Sequence, residues 1–135
     1  MVQRQVVTAF LEHQGQILLL KRSQRVGTFR GRWAGVSGGI PEGVRPLSQA
    51  LREIEEEVGL PELQVELLRS GDPVVVTDEE DHQWLVHPFL FRIGDPSQVL
   101  LDWEHTESRW VKPEEIARFH TVPGLKQTWD QLWKT

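Results

Sequence analysis

Four glutamates crowd into five positions of the chain, at Glu53, Glu55, Glu56 and Glu57. Three of them, Glu53, Glu56 and Glu57, are spaced i, i+3 and i+4, so a helix places them on one side. Like charges at this spacing destabilise a helix by roughly 0.2 to 0.5 kcal/mol per pair, and near its C-terminus they oppose the macrodipole. Such carboxylates can bind a hard cation, because Mg²⁺ takes oxygen ligands. The alternative is a solvent-exposed side of the helix, on which the charge of Arg52 offsets the charge of Glu56.

The helix that carries these glutamates is predicted to begin near Pro46. An apolar stripe with a helical period runs along it: Leu47, Ala50, Leu51, Ile54 and Val58. Pro46 suits a first helical turn, and Gly59 suits the C-terminal cap. The stripe is expected to face the core, with Glu53, Glu56 and Glu57 turned away from it.

The rest of the chain predicts a sheet covered by helices. Residues 4 to 12 and 16 to 22 are apolar and flank Gln14-Gly15, which indicates a β-hairpin. Further strands are predicted near 33 to 36, over 63 to 69, 74 to 77 and 84 to 93, and from Trp110, and shorter helices over 114 to 119 and 124 to 133. The glycine-rich segment around the strand at 33 to 36 is expected to be loop. This mixed order is typical of an α/β or α+β fold.

Composition narrows the class of protein. The 135 residues suit one domain, with 39% apolar and 26% charged residues. No apolar run approaches the roughly 20 residues of a membrane span, and no export signal is recognised, so a cytoplasmic protein without a membrane partner is expected. The chain has no cysteine, which excludes disulfides and thiolate metal sites. A net charge of −5 argues against binding polymeric nucleic acid.

The glutamates end a longer pattern that begins at Gly38. It runs Gly38, five residues, Val44, seven residues, then REIEEEVGL from Arg52 to Leu60. This resembles the Nudix box, which is Gly, five residues, Glu, seven residues, Arg-Glu-aliphatic-any-Glu-Glu-any-Gly-aliphatic. Every fixed position matches except Val44, where the family has glutamate. The N-terminal hairpin, GRW ahead of the Gly38-Gly39 pair, and WEHTESRWVKPEEI from Trp103 are also similar to the family's layout.

The resemblance implies a single Nudix domain over residues 1–135. Its fold would be an α/β/α sandwich with a mixed sheet, an N-terminal β-hairpin and a catalytic loop-helix. The implied activity is hydrolysis of the diphosphate linkage in a nucleoside diphosphate derivative, either a nucleoside triphosphate, oxidised forms included, or a nucleotide sugar. Mg²⁺ is the implied cofactor, with Mn²⁺ as a substitute, and the partner is a small nucleotide-type molecule. Homodimers are common among such proteins.

Residue roles follow from the match to the box. Glu53, Glu56 and Glu57 match the family's metal ligands, and the Gly38 carbonyl is a further ligand in some members. Arg52 matches an arginine that orients a catalytic glutamate, so Arg52, Glu53 and Glu56 are counted as catalytic; a surface ion pair is the alternative for Arg52. A regulatory module that binds a nucleotide without cleaving it is the alternative function, which only Val44 favours.

The general base is expected outside the box, in a loop before the last strand. Glu104 is the preferred candidate, and Glu107 is the nearby alternative. The acidic segment at residues 79 to 81 is a competitor, as are Glu53 and Glu57 themselves, because family members differ on this point. A solvated loop is the non-functional explanation for each candidate in the two loops.

Substrate binding is predicted in the loop before Trp33. Arg25, Arg30 and Arg32 are its candidate phosphate contacts, since arginine forks fit phosphates, and aromatic rings there can stack on a base. The alternative is a solvated loop with Trp33 packed in the core. Gly39, like Gly38, suits a backbone that approaches phosphate closely. The five histidines lack zinc spacing and are expected to be ordinary residues.

The departure at Val44 yields a first prediction. The family's glutamate at this position supports the box arginine more than it binds metal, and Glu42 nearby is a candidate to compensate. Val44→Glu should therefore leave the affinity for Mg²⁺ nearly unchanged. Calorimetric titration of the parent and the variant measures this, and a large gain in affinity would show that the position is a ligand.

Overall fold

A single mixed sheet organises the chain, in a computed structural model that describes residues 4–134. Two helices and eight strands follow one another as β1 Arg4–His13, β2 Gln16–Arg22, β3 Trp33–Ala34, β4 Val36–Gly39, α1 Pro46–Val58, β5 Val65–Ser70, β6 Val74–Thr77, β7 Gln83–Ile93, β8 His105–Val111 and α2 Leu125–Gln131. Short 3-10 helices cover Glu62–Gln64, Pro96–Gln98 and Pro113–Arg118. None of the helices within residues 4–134 is long and apolar enough to cross a bilayer.

Strand β1 lies at the centre of the sheet. One edge of β1 pairs antiparallel with β2 and β4, and the other pairs in parallel with β7 over nine residues, from Arg4 opposite Trp84 to Glu12 opposite Arg92. Strands β3 and β8 then pair with β2, while β5 and β6 pair with β7. The mixed sheet and the β1–β2 hairpin are confirmed. Gln14 and Gly15 form its turn with φ of 51° and 82°, as a two-residue hairpin requires.

Two apolar clusters lie on opposite faces of the sheet. Val7, Ala9 and Leu11 of β1 share one cluster with Ile54 and Val58 of α1. Phe10, between Ala9 and Leu11 on β1, points the other way, because side chains alternate along a strand. On that face it joins the second cluster, with Leu125 and Trp129 of α2. The result is the expected helix–sheet–helix sandwich.

Helix α1 forms where its apolar period predicts, but its buried side differs from the expectation. Leu47 is 37% exposed, whereas Glu53 and Glu57 are buried alongside Ile54. The prediction that these two glutamates turn away from the core is wrong, because the side of α1 next to the apolar stripe packs against β4. Gly59 caps the helix with φ 75°, a left-handed conformation that glycine adopts without strain.

Strand β8 begins five residues earlier than the predicted start at Trp110. Glu107 therefore lies in the strand, while Glu104 keeps its place in the preceding loop. Opposite β2, Lys21 pairs with Glu107 but Arg22 pairs with His105, so Thr106 forms a bulge. Bulges of this kind re-aim a neighbouring side chain, and here the buried one is His105.

Candidate active site

The carboxylate of Glu53 lies directly against the backbone of Gly38. A Cβ atom on Gly38 would collide with the Glu53 carboxylate, so any larger residue at this position would displace that side chain. Gly38 and Gly39 were expected in a loop, but both belong to β4, which pairs with β1. A regular strand thus places two glycines next to helix α1.

Glu57 is the most deeply buried carboxylate of the site, with 1% of the residue exposed. Its Oε1 accepts a hydrogen bond from the Ser37 backbone N–H at 3.4 Å and lies 3.6 Å from His105 Nε2. Its Oε2 is buried and has no hydrogen-bond partner among the described residues. A buried oxygen without a partner is costly, which suits one that awaits a ligand.

Burial and mutual repulsion keep these acids from ionising easily. Burial, followed by the charges of Glu53 and Glu104, raises the pKa of Glu57 to about 10. Burial, followed by the charges of Glu56 and Glu104, raises the pKa of Glu53 to about 7. Four carboxylates therefore share one region, and a nearby positive charge would relieve their repulsion.

Glu104 lies in the loop before β8, as predicted, and lines the cleft beside the cluster. Its backbone is held on both sides: its N–H donates to Asp102 Oδ1 at 3.0 Å, and its carbonyl accepts from Ser23 N at 2.7 Å. Burial, and then the interaction with Asp102, raises the pKa of Glu104 to about 7. A carboxylate with such a pKa is suited to accept a proton near neutral pH.

Glu56 and Arg52 lie on the exposed side of α1. Glu56 is close enough to raise the pKa of both Glu53 and Glu104, so the structure does bring it to the cluster. Within residues 4–134, Arg52 forms no salt bridge with Glu56, in contrast to the surface pair considered as its alternative. The orienting role of Arg52 stays a prediction, because nothing in the described chain tests it.

The acidic cluster meets some of the requirements for binding a hard cation. Residues 4–134 contain no ready-made group of three acidic or histidine side chains that would hold an ion. Mg²⁺ is usually held by one or two carboxylates and completes its octahedron with water and substrate phosphates. The free Oε2 of Glu57, the Glu53 carboxylate and the Gly38 backbone provide oxygen donors of that kind.

A cleft of about 220 Å³ opens from this cluster between the sheet and α2. Phe29 and Trp84 form its aromatic wall, with ring centroids 5.9 Å apart. Trp84 is fixed by a hydrogen bond from its Nε1 to Asp78 Oδ2 at 3.0 Å. Arg22 stands where the acidic and aromatic parts meet, and it donates to the carbonyl and the hydroxyl of Thr28.

None of the three arginines predicted to bind substrate lines this cleft, although Arg32 lies over the ring of Phe29, 5.5 Å from its centroid. Arg30 donates to the Val26 carbonyl at 2.8 Å, and Arg32 is bonded to the Thr121 carbonyl and to Glu79. Arg25 is exposed and lies over the ring of Trp103 at 5.6 Å. Their role in substrate binding stays a prediction, and the arginine in the cleft wall is Arg22.

Sequence reasoning missed Arg22, Trp84, Asp102 and His105. Arg22 ends an apolar strand, so it carried no motif signal, and Trp84 and Asp102 lie outside the box. His105 was expected to be ordinary because its spacing fits no zinc site. Its position next to Glu104, the preferred candidate for the general base, is the signal that would have found it.

These features define a class of small α/β/α protein, in which a glutamate-rich helix packs against a glycine strand at the mouth of an aromatic cleft. The chain belongs to the Nudix family of hydrolases, since the NUDIX domain family matches residues 1–132.

Known proteins resemble the chain along almost its whole length. It is 26% identical to a nucleoside triphosphatase, NudI, of Escherichia coli over 95% of both chains. The crystal structure of a MutT protein from Methanosarcina mazei Go1 superposes with a TM-score of 0.79 at 22% identity, covering 96% of this chain and 92% of that one. An Ap4A hydrolase from C. elegans gives a TM-score of 0.75 at 17% identity, with coverage of 95% and 93%.

The raised pKa values predict how stability depends on pH when no metal is present. Glu57 stays protonated in the folded chain up to about pH 10, whereas its ordinary value is 4.5, so its contribution to the free energy of unfolding falls as pH rises through that window. Glu57→Gln should gain stability relative to the parent by at most about 1.4 kcal/mol per pH unit.

Urea unfolding in EDTA, at about pH 5.5 and about pH 8.5, measures this difference. Glu55→Gln is the matched control, because Glu55 is an exposed carboxylate of the same helix. A parent and a Glu57→Gln variant that lose stability in parallel would contradict the assignment of the raised pKa to Glu57.

Proposed function

We propose that this protein hydrolyses the diphosphate linkage of a nucleoside diphosphate derivative with the help of Mg²⁺, for which Mn²⁺ can substitute. One observation carries the proposal: the buried Glu57 has an oxygen without a hydrogen-bond partner and lies close enough to Glu53 for their charges to interact, and Gly38, against which Glu53 packs, lines an aromatic cleft. An acidic cluster alone would repel a diphosphate. A cluster that holds a cation would attract it, and the cleft would receive the organic part of the same molecule.

The proposed metal residues are Glu53, Glu56, Glu57 and the Gly38 carbonyl. Bound there, Mg²⁺ would neutralise phosphate charge and help to activate water. Glu53 and Glu57 are held in place before any ligand arrives, the first by its packing on Gly38 and the second by Ser37 N–H. Glu56 reaches the same region from the exposed side of α1.

Glu104 is the proposed general base. It lines the cleft on the side of the acidic cluster, and its backbone is fixed by Asp102 and Ser23. It would take a proton from the attacking water. Arg22, with its guanidinium at the boundary of acid and aromatic surfaces, is the proposed phosphate contact in the cleft wall, in addition to the sequence candidates Arg25, Arg30 and Arg32.

A nucleobase fits the aromatic part of the cleft. Stacking on aromatic rings recognises any base through its π face, and Phe29 and Trp84 offer such rings. The cleft lining also carries the hydroxyls of Thr8, Thr28, Ser37 and Thr128. Arginines lie over both rings, Arg32 over Phe29 and Arg4 over Trp84. A triphosphate substrate is favoured over a nucleotide sugar, because the relative from Escherichia coli is a nucleoside triphosphatase. A single domain over residues 1–135, a cytoplasmic location and a homodimer stay predictions.

The decisive experiment is a substrate panel. Nucleoside triphosphates, oxidised forms included, and nucleotide sugars are incubated with the protein and Mg²⁺, and products are identified by phosphorus NMR. Glu57→Gln should lower kcat/KM roughly 100-fold or more, since a metal supplies several kcal/mol of transition-state stabilisation. Glu55→Gln is the control and should retain parent activity.

Two results would count against the proposal. Undiminished turnover by Glu57→Gln would remove Glu57 from the chemistry. Saturable nucleotide binding without product, under any divalent metal, would favour the non-hydrolytic module that Val44 suggests.

A further prediction concerns the close approach of Gly38 to Glu53. Gly38→Ala should displace the Glu53 carboxylate, because the added Cβ occupies its position, and Mn²⁺ affinity should fall about tenfold or more. Calorimetry without nucleotide measures this. Gly94→Ala is the matched control, since nothing lies within 4 Å of its added Cβ. Equal Mn²⁺ affinity in the two variants would show that the position of Glu53 does not matter to the ion.

A further inference from the structure

His105 is a buried histidine for which the proposed chemistry has no use. Its side chain is 1% exposed, and it stands between two carboxylates. Its Nδ1 lies 3.3 Å from Asp102 Oδ1, and its Nε2 lies 3.6 Å from Glu57 Oε1. The Nε2 has no hydrogen-bond partner among residues 4–134. A buried polar atom in this state calls for an explanation.

The bulge at Thr106 is what aims the ring inward. Without it, Arg22 of β2 would face Thr106, and His105 would fall at another position of the strand. With it, His105 pairs with Arg22 and its side chain enters the space beside Glu57. The sheet departs from regular pairing at the residue that faces the proposed metal ligand.

Both partners of His105 are tied to the proposed site. Asp102 Oδ1, which faces the ring, also accepts the N–H of Glu104 at 3.0 Å. The N–H of Asp102 donates to the backbone carbonyl of Glu57 at 3.2 Å. The ring therefore lies between the loop of the proposed base and the end of helix α1.

We propose that His105 is a positioning residue that holds Glu57 by its Oε1 atom, leaves Oε2 free for the cation, and fixes the distance between Glu57 and the Glu104 loop. The inference rests on the proposed function. Ligating carboxylates are commonly held by a second hydrogen-bonding group, whose loss costs 10-fold to 100-fold in metal affinity or activity. Ser37 N–H donates to the same oxygen at 3.4 Å, so two groups meet Oε1 and none among the described residues meets Oε2.

The test is Mn²⁺ binding to the whole protein by calorimetry, without nucleotide. His105→Phe keeps a ring but removes both nitrogens, and its Mn²⁺ affinity should fall about 10-fold to 100-fold. His105→Gln places an amide where Nε2 stood and should recover most of the loss, whereas His105→Asn, whose amide is nearer Nδ1, should not. A role in packing alone would not separate these two amides.

His87→Phe is the matched control. His87 is a partly buried histidine of β7 that also makes one side-chain contact, between its Nε2 and Gln5 Oε1 at 3.1 Å. Its loss should leave Mn²⁺ affinity at the parent value. If His105→Phe does not fold, the comparison of His105→Gln with His105→Asn decides the matter, and equal affinities would overturn the proposal.

The results also distinguish a failure of the positioning role of His105 from a failure of the proposed function. A parent protein that binds Mn²⁺ and hydrolyses nucleotides, with unchanged affinity in a folded His105→Phe, would overturn the positioning role and leave the function standing. A parent that neither binds Mn²⁺ nor hydrolyses any member of the panel would remove both.

Discussion

The constraint on which the site depends is the burial of two carboxyl groups where helix α1 packs against the glycine end of strand β4. Glu53 and Glu57 leave water where α1 meets β4, and Gly38 provides the space for the first of them. Buried acids normally have a partner of opposite charge. Here the only hydrogen bond from the described chain to the Glu57 carboxyl group is a long one from Ser37 N–H, and burial raises the pKa of Glu57 to about 10. A cation bound there would lower the pKa values of Glu53 and Glu57, because it favours their ionised forms.

The surrounding elements keep these carboxyl groups in place. The loop before β8 covers the C-terminal end of α1, because the N–H groups of Leu100 and Asp102 donate to the carbonyls of Val58 and Glu57. The same loop carries Glu104, so one segment both covers the end of the helix and places the proposed base. Arg22, which pairs with His105 at the end of that loop, donates to Thr28, the residue before Phe29 of the aromatic wall. Hydrogen bonds thus fix the backbone on these sides of the cleft.

Patterns local in sequence predicted most of the fold. The apolar period of α1 and the Gln14-Gly15 turn depend on neighbours, so the helix and the hairpin followed from the residues themselves. The box identified Glu53, Glu57 and Gly38, and the loop before β8 placed Glu104. The burial of the glutamates did not follow, because it depends on which strand packs against α1. His105 was missed for a related reason: a one-residue bulge, invisible in the sequence, decides which face of β8 it takes.

The parallel pairing of β1 with β7 has a consequence for how the chain acquires its structure. Residues that become neighbours there are 80 positions apart, as in the pair of Glu12 with Arg92. Contacts of such long range slow folding, because a large loop must close before they form. As the chain leaves the ribosome, the β1–β2 hairpin emerges early and must wait for β7 before its second edge is covered. During that interval its apolar strands are open to association with other chains, so nascent protein is more exposed to aggregation than the finished molecule.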